Sequence, residues 1–376
     1  MLTRLHRFAL CAGTATLLAA SPAAHAANNN IVIGQSVDLS GPDASIGRDY
    51  VAGIKTYFDM VNAAGGINGR RIQFIVRDDR GQPELAAKAA TELIEQEQVD
   101  YLFGGVGDDT ARAVLETPAF RRSGHVLFAP LAAADYASGA RVLFWRPGYR
   151  QEIRHIFNHF SKLGISDIGV AYQDTPSNRE AYRNLSALIE ERRMKLTGTA
   201  RIDGDSGRIA QEAGRLAASR PGFILVIADT IGTALFLKEY RKRDAQTFVA
   251  GTSLTNLSTL HELAGTRAVE WTVFSQVVPN PAAGTTLIQV EHLNMMKKFR
   301  DESVSSLTLE GFAAAKALTR VIQQARRGGR SALQDFIAQR GNLDLGGLSA
   351  VLSGGSNRLS NYLDIALFRK GSGLVF

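Results

Sequence analysis

Apolar positions in residues 31–87 fall into two rhythms. Ile31, Val32 and Ile33 form a β-branched run of strand type, and Ser40, Gly41 and Pro42 then mark a turn. Tyr50, Ile54, Tyr57, Phe58 and Val61 recur at three- and four-residue steps, which places them on one face of a helix. Ala64-Gly65-Gly66 ends that helix, because glycine adopts the left-handed conformation a helix C-terminus needs. A second strand, Arg71 to Val76, runs into Asp78-Asp79. Strand, helix, strand is the βαβ unit that opens an α/β domain.

The alternation continues. Leu85, Ala89 and Leu93 mark a helix face, and Tyr101-Leu102-Phe103 a buried strand that leads into Gly104-Gly105-Val106-Gly107. A helix is predicted from Thr110 to about Arg122, then strands at Val126–Ala129 and Val142–Trp145. Ile153, Ile156, Phe157, Phe160 and Leu163 form a strong apolar stripe closed by Gly164. A second series follows: strands at Ile168–Tyr172, Phe223–Ile227, Thr247–Ala250 and Thr272–Val278, with helices between them and after them. Such alternation calls for parallel sheets flanked by helices. About 350 residues exceed one comfortable α/β core, so two lobes are expected. No Pro/Ser/Gly-rich linker separates them, which suggests that the lobes exchange strands.

Ahead of the first strand, Met1 to Ala26 carries Arg4 and Arg7, an apolar stretch from Phe8 to Ala20, and Ala24-His25-Ala26. That order is a secretory signal peptide, cleaved near Ala26. Its apolar part falls short of the roughly 20 residues that span a bilayer. Cys11, the one cysteine, lies inside it. The mature chain therefore has no thiol, disulfide or cysteine metal ligand, and depends on its core; 45% of the residues are hydrophobic.

The formal charge of +7 raises the question of nucleic acid, but the basic residues alternate with acids, as in Lys238-Glu239-Tyr240-Arg241-Lys242-Arg243-Asp244, the pattern of solvated helix faces. Arg326-Arg327-Gly328-Gly329-Arg330 reads as a helix end.

Leu39-Ser40-Gly41-Pro42, Gly47, Asn62-Ala63-Ala64-Gly65-Gly66-Ile67-Asn68-Gly69 and Asp78-Asp79, taken as one ordered set, resemble the amino-terminus of the Leu/Ile/Val-binding protein family, the type I periplasmic solute-binding proteins of branched-chain amino acid ABC transporters. The resemblance continues through Leu163-Gly164-Ile165, Ser275 to Pro279, Leu307 to Ala314 and Leu343 to Gly347. It implies a two-lobed α/β fold with three interlobe crossings, the last at Leu343–Gly347. Residues 27–148 plus 279–344 would form lobe 1, and 149–278 plus 345–376 lobe 2. It also implies a small-molecule solute, amino acid or related, as ligand, the membrane permease of an ABC transporter as partner, a monomer in the periplasm, and no cofactor, metal, nucleic acid or enzymatic activity.

In open parallel sheets ligands sit beyond the carboxyl ends of the strands. Five such places are candidates, four with polar side chains and one with backbone groups alone: Asp108, Asp109 and Thr110; Leu131 and Ala132 next to Ala133, the backbone one; Tyr172 and Asp174; Asp229; Thr252 and Ser253. The glycine-rich run before Asp108 lacks the lysine of a P-loop, and Thr110 stands where a dinucleotide fingerprint has its third glycine. Asp108 or Asp109 alternatively caps the helix. In the resembled family the first two loops hold a ligand carboxylate with hydroxyls and N–H groups, whereas this chain has Asp108 and Ala133 there, and Ser253 where an acid often sits. An ionised Asp108 would repel a carboxylate. Either it turns aside, or the ligand is cationic or neutral and polar.

Enzyme chemistry finds little support. No Gly-x-Ser-x-Gly elbow occurs. His155 and His159 share a helix face, but read as solvent-facing neighbours of the Ile156-Phe157-Phe160 stripe. Two other readings of the same fold class are a periplasmic ligand sensor and a periplasmic oxidoreductase.

Overall fold

The computed structural model describes residues 30–376 apart from 137–138, 326–328, 353–355 and 371–372. The leader, Cys11 and most of the Arg326–Arg330 cluster lie outside the described residues.

The first body begins with β1 (Ile31–Val37), α1 (Ala44–Ala63), β2 (Ile72–Asp78), α2 (Pro83–Glu95) and β3 (Tyr101–Phe103). It continues with α3 (Asp108–Glu116), α4 (Pro118–Ser123), β4 (Leu127–Phe128) and β5 (Val142–Leu143). The strands form one sheet in the order 2-1-3-4-5, every neighbouring pair parallel. The single helix expected from Thr110 to Arg122 is two helices. Pro118 removes a backbone donor, and the Thr117 side chain accepts the Phe120 N–H at 3.1 Å to start the second.

The chain then crosses to a second body: α5 (Tyr149–Lys162), β6 (Asp167–Tyr172), α6 (Pro176–Glu191), β7 (Lys195–Arg201), α7 (Ser206–Ala218) and β8 (Phe223–Ile227). There follow α8 (Thr230–Tyr240), β9 (Phe248–Gly251), α9 (Leu257–Ala264), α10 (Thr266–Val269) and β10 (Thr272–Gln276). It returns through α11 (Leu287–Phe299), α12 (Ser306–Gln324), α13 (Ser331–Ala338) and the hairpin β11 (Asn342–Asp344) and β12 (Ser349–Val351), and ends in β13 (Asp364–Arg369) and β14 (Gly373–Val375). The second sheet runs 7-6-8-9-10-13-14, its last two strands antiparallel.

Each sheet is buried on both faces. One face of the first packs Ile33, Phe103 and Phe128 against Tyr50, Ile54 and Phe58 of α1 and Leu309 and Phe312 of α12. Its other face packs against α2, α3 and α4 through Leu93, Val114 and Phe120. In the second body, α5 and α6 cover one face and α7 and α8 the other. Helices α1 and α12 approach closely because glycines meet there. A Cβ on Gly53 would lie 1.9 Å from the Thr308 carbonyl oxygen, and one on Gly311 2.2 Å from that of Tyr50.

Three passages join the bodies. The first, after β5, and the third run side by side: Phe144 N–H donates to the Asn357 carbonyl (2.8 Å), Leu359 N–H to that of Phe144 (2.9 Å) and Ser360 N–H to that of Trp145 (2.7 Å). The second follows β10 through buried Val277 and Val278. The third lies later than Leu343–Gly347. Leu343 and Leu345 belong to the hairpin, and Leu348, Ala350, Leu352 and Leu359 stay in the first core, so the chain moves over only between Leu359 and Asp364.

Candidate functional site

The carboxyl ends of the two sheets face each other across a cleft of about 190 Å³. Asp108, Arg112, Ala133, Ala134 and Asp135 line it from the first body, and Tyr149 and Arg150 from the start of α5, where the first passage ends. Asn178, Ala181, Asn184, Ile227, Ala228, Thr252 and Leu254 complete it from the second.

The first wall is built on two loops laced together. Leu131 N–H donates to the Gly105 carbonyl (2.9 Å) and Gly107 N–H to that of Leu131 (3.0 Å). Gly107, at φ 99°, takes a conformation that side chains disfavour and turns the chain into α3. Asp108 is the first residue of that helix but caps nothing. Its carboxylate reaches the neighbouring loop, where Oδ1 accepts from Ala134 N–H (3.0 Å) and the Tyr136 hydroxyl (3.2 Å), and Oδ2 from Ala133 N–H at 3.4 Å. Burial raises its pKa despite these bonds and the Arg112 charge. The Ala133 carbonyl accepts Tyr149 N–H (2.8 Å), which ties the loop to α5. The Tyr149 hydroxyl is buried and has no hydrogen-bond partner among the described residues.

The other expected site residues divide. Thr252 lines the cleft on the wall opposite Asp108. Thr110 is buried and spends its hydroxyl on the Val106 and Gly107 carbonyls (2.6 and 2.9 Å), while Asp109 lies 3.7 Å from Arg112. Leu131 and Ala132 are wholly buried, in the cores on opposite faces of the sheet. Tyr172 stacks on Tyr182, centroids 4.5 Å apart. Asp174 pairs with Arg201. Asp229 caps α8 by accepting Gly232 N–H (2.6 Å) and also accepts from the Gln173 amide (2.8 Å). None of these seven lines the cleft. Ser253 is buried in a polar network between the bodies: Arg146 donates to its hydroxyl (3.0 Å), and its own N–H donates to Glu152 (2.9 Å). Tyr149 and Arg150 escaped the sequence reading, although they stand at the start of the helix predicted from the apolar stripe.

Further contacts bridge the bodies at the cleft edge. The Asn256 amide donates to the Ser45 carbonyl (3.0 Å) and the Asp49 carboxylate (3.1 Å) of α1. Asp43, just before α1, is pushed up to about 7 by burial first, then by the charges of Asp229 and Asp38. Asp229 therefore opposes Asp43 from the second body. Among the described residues no three His, Cys, Asp or Glu side chains cluster as a metal site, and no helix is long and apolar enough to cross a membrane. His155 and His159 are half-buried.

A sequence profile of the periplasmic binding protein family matches residues 30–349. The chain is similar to an amino acid binding protein of Pseudomonas aeruginosa, 35% identical over 75 residues, 20% of each chain. It is also similar to the Leu/Ile/Val-binding protein BraC3 of Rhizobium johnstonii, 31% identical over 121 residues, 32% of each chain. The aligned stretches thus span a third or less of these relatives' length. Among solved structures, a substrate-binding periplasmic protein from Ralstonia solanacearum superposes with a TM-score of 0.84 at 24% identity, over 92% of this chain and 99% of that one. The branched-chain amino acid transporter substrate binding protein LivJ from Streptococcus pneumoniae, in complex with isoleucine, does so at 0.79 and 17% identity, over 92% and 99%. At such identities these likenesses establish the two-lobed, type I fold.

Proposed function

This chain belongs to the periplasmic binding protein family, and we propose that it is the exported solute-binding protein of an ABC importer, capturing an amino acid or related small polar solute between its lobes. The supporting observation is the cleft itself, lined from both bodies beyond the carboxyl ends of their strands, with Asp108 and Tyr149 on one wall and Ala228 and Thr252 on the other. Its volume lies below the roughly 300–1,000 Å³ of drug-sized sites, which suits a small guest.

Closure would bend the paired passages at Phe144–Gly148 and Leu359–Asp364, in the hinge manner of two-lobed binding proteins. The closed form would dock on a membrane permease, and the protein itself would carry out no chemistry. Residues 1–26 would be removed on export, so the exported protein's intact mass should correspond to a start at Ala27.

The test is an unfolding-temperature screen of the mature protein against amino acids, amides, polyamines and aromatic acids. A ligand at 100 times its Kd stabilises by about 2.7 kcal/mol, a readily measured shift. One responding class supports solute capture. Silence across all of them counts against it.

A further inference from the structure

The backbone N–H groups of Ala133 and Ala134 point from the loop after β4 toward Asp108, at the carboxyl end of the first sheet. Adjacent N–H groups in such a loop make a seat for an anion. Here the chain fills that seat itself. Asp108 Oδ1 takes Ala134 N–H at 3.0 Å and the Tyr136 hydroxyl at 3.2 Å, so it is well supplied. Oδ2 has only the long 3.4 Å contact with Ala133 N–H. One oxygen of a desolvated carboxylate, on the cleft wall, therefore keeps capacity for a donor. Near it, the buried Tyr149 hydroxyl lacks a hydrogen-bond partner among the described residues, and a buried hydroxyl left unsatisfied is costly. The wall calls for a guest that supplies both.

We propose that Asp108 is a built-in carboxylate that excludes a ligand carboxylate from the first-lobe loop, and that the solute presents a hydrogen-bond-donating nitrogen, an amide or an ammonium, to Asp108 Oδ2 and a polar atom to the Tyr149 hydroxyl. This inference rests on the solute-binding reading above. A carboxylate in the same place would displace Asp108 from its N–H donors and leave two like charges in one desolvated site. The opposite wall offers the Asn178 and Asn184 side chains and Thr252, which are neutral and therefore suit the polar remainder of such a guest.

Titration calorimetry with acid and amide pairs of one skeleton tests the inference: 4-methylpentanoate against 4-methylpentanamide, L-leucine against L-leucinamide, and benzoate against benzamide. The proteins are the wild type, Asp108→Asn and Asp108→Ser, each shown by its unfolding transition to be folded. In the responding pair the wild type should bind the amide at least about ten-fold more tightly than the acid, the effect of one uncompensated charge contact. Asp108→Asn should lose that preference. Asp108→Ser, which frees both N–H groups and removes the charge, should prefer the acid. A wild type that prefers the acid, and loses it in Asp108→Ser, overturns the inference and leaves solute capture standing. No heat from any pair with any of the three proteins overturns solute capture, and the inference with it.

Discussion

Arg146 and Glu310 form a two-pronged ion pair in the interior: Arg146 Nε donates to Glu310 Oε1 at 2.9 Å and Nη2 to Oε2 at 2.5 Å, with both side chains essentially inaccessible to solvent. Arg146 lies in the first passage between the bodies and Glu310 in α12. The remaining guanidinium nitrogen reaches Ser253, between Thr252 and Leu254 of the cleft wall, and Ser253 N–H and the Ser275 hydroxyl share Glu152 Oε2. Hinge, first body and cleft are thus joined by one hydrogen-bonded network. Burial alone would lower the Arg146 pKa, but the Glu310 charge and bonds outweigh it and hold it above its ordinary value.

Removing one partner of this pair should be severe. Glu310→Ala leaves a buried cation without its counter-ion, and the expected loss is roughly 3–5 kcal/mol, read from the urea midpoint. Replacing both residues together, Arg146→Met with Glu310→Leu, should recover most of it, because two apolar groups of similar size need no desolvation. A single variant that loses less than about 1 kcal/mol would contradict the isolation of this pair from water.

Asp43 gives the fold a measurable pH dependence. Its carboxyl titrates near 7 in the folded protein against 3.8 as an ordinary group, with burial as the main cause and Asp229 and Asp38 next. Between those values the native state binds more protons than the unfolded one, so this group's stabilisation is complete below pH 4 and is lost as pH rises through about 7. Asp43→Asn should raise the unfolding temperature at pH 8 and flatten its fall between about pH 4 and 7. Because Asp229 belongs to the other body, Asp229→Asn should lower the Asp43 titration midpoint. An unchanged midpoint by NMR would show that the two charges do not meet.

His292 acts in the opposite direction. It is buried, with its Nε2 3.0 Å from the Thr308 hydroxyl and its ring edge-on to Phe312, and burial lowers its pKa to about 4. Its contribution is present above pH 6.5 and is lost as pH falls toward 4, since the unfolded chain takes up the proton first. The His292 ring signal should titrate near 4 by NMR. Titration near 6.5 would mean that water reaches the α11–α12 seam.

Gly311→Ala should push α1 and α12 apart, since the new methyl would meet the Tyr50 carbonyl at 2.2 Å, backbone that cannot swing away. The expected destabilisation is about 1–3 kcal/mol or more by thermal unfolding. Gly65→Ala has open space around its Cβ and is the contrast for crowding, with the strain of its φ of 98° as its only expected penalty.

The fold was legible where the hydrophobic rhythm was strong. The first βαβ unit, the α5 stripe and the all-apolar β8 follow from spacing alone. Strand β7, Lys195–Arg201, was not, because it is a largely exposed edge with no apolar alternation to reveal it. The third passage was placed too early because the resemblance put it at Leu343 to Gly347, and only the packing of Leu348 and Leu359 shows which core holds that stretch. In the site, the sequence points to strand ends but not to side-chain direction. Leu131 bridges to Val106 and points inward, and Asp229 follows the signal of a helix cap, with Gly232 three residues on. Tyr149 and Arg150 were missed because they enter the cleft only through the crossing that precedes them.

The central claim, that a small solute is held between the lobes, is tested most directly by a crystal structure of the protein with the first compound that raises its unfolding temperature. The compound should lie between Asp108 and Tyr149 on one wall and Ala228 and Thr252 on the other, with the Tyr149 hydroxyl hydrogen-bonded to it. A compound bound elsewhere, with this cleft holding only water, would contradict it.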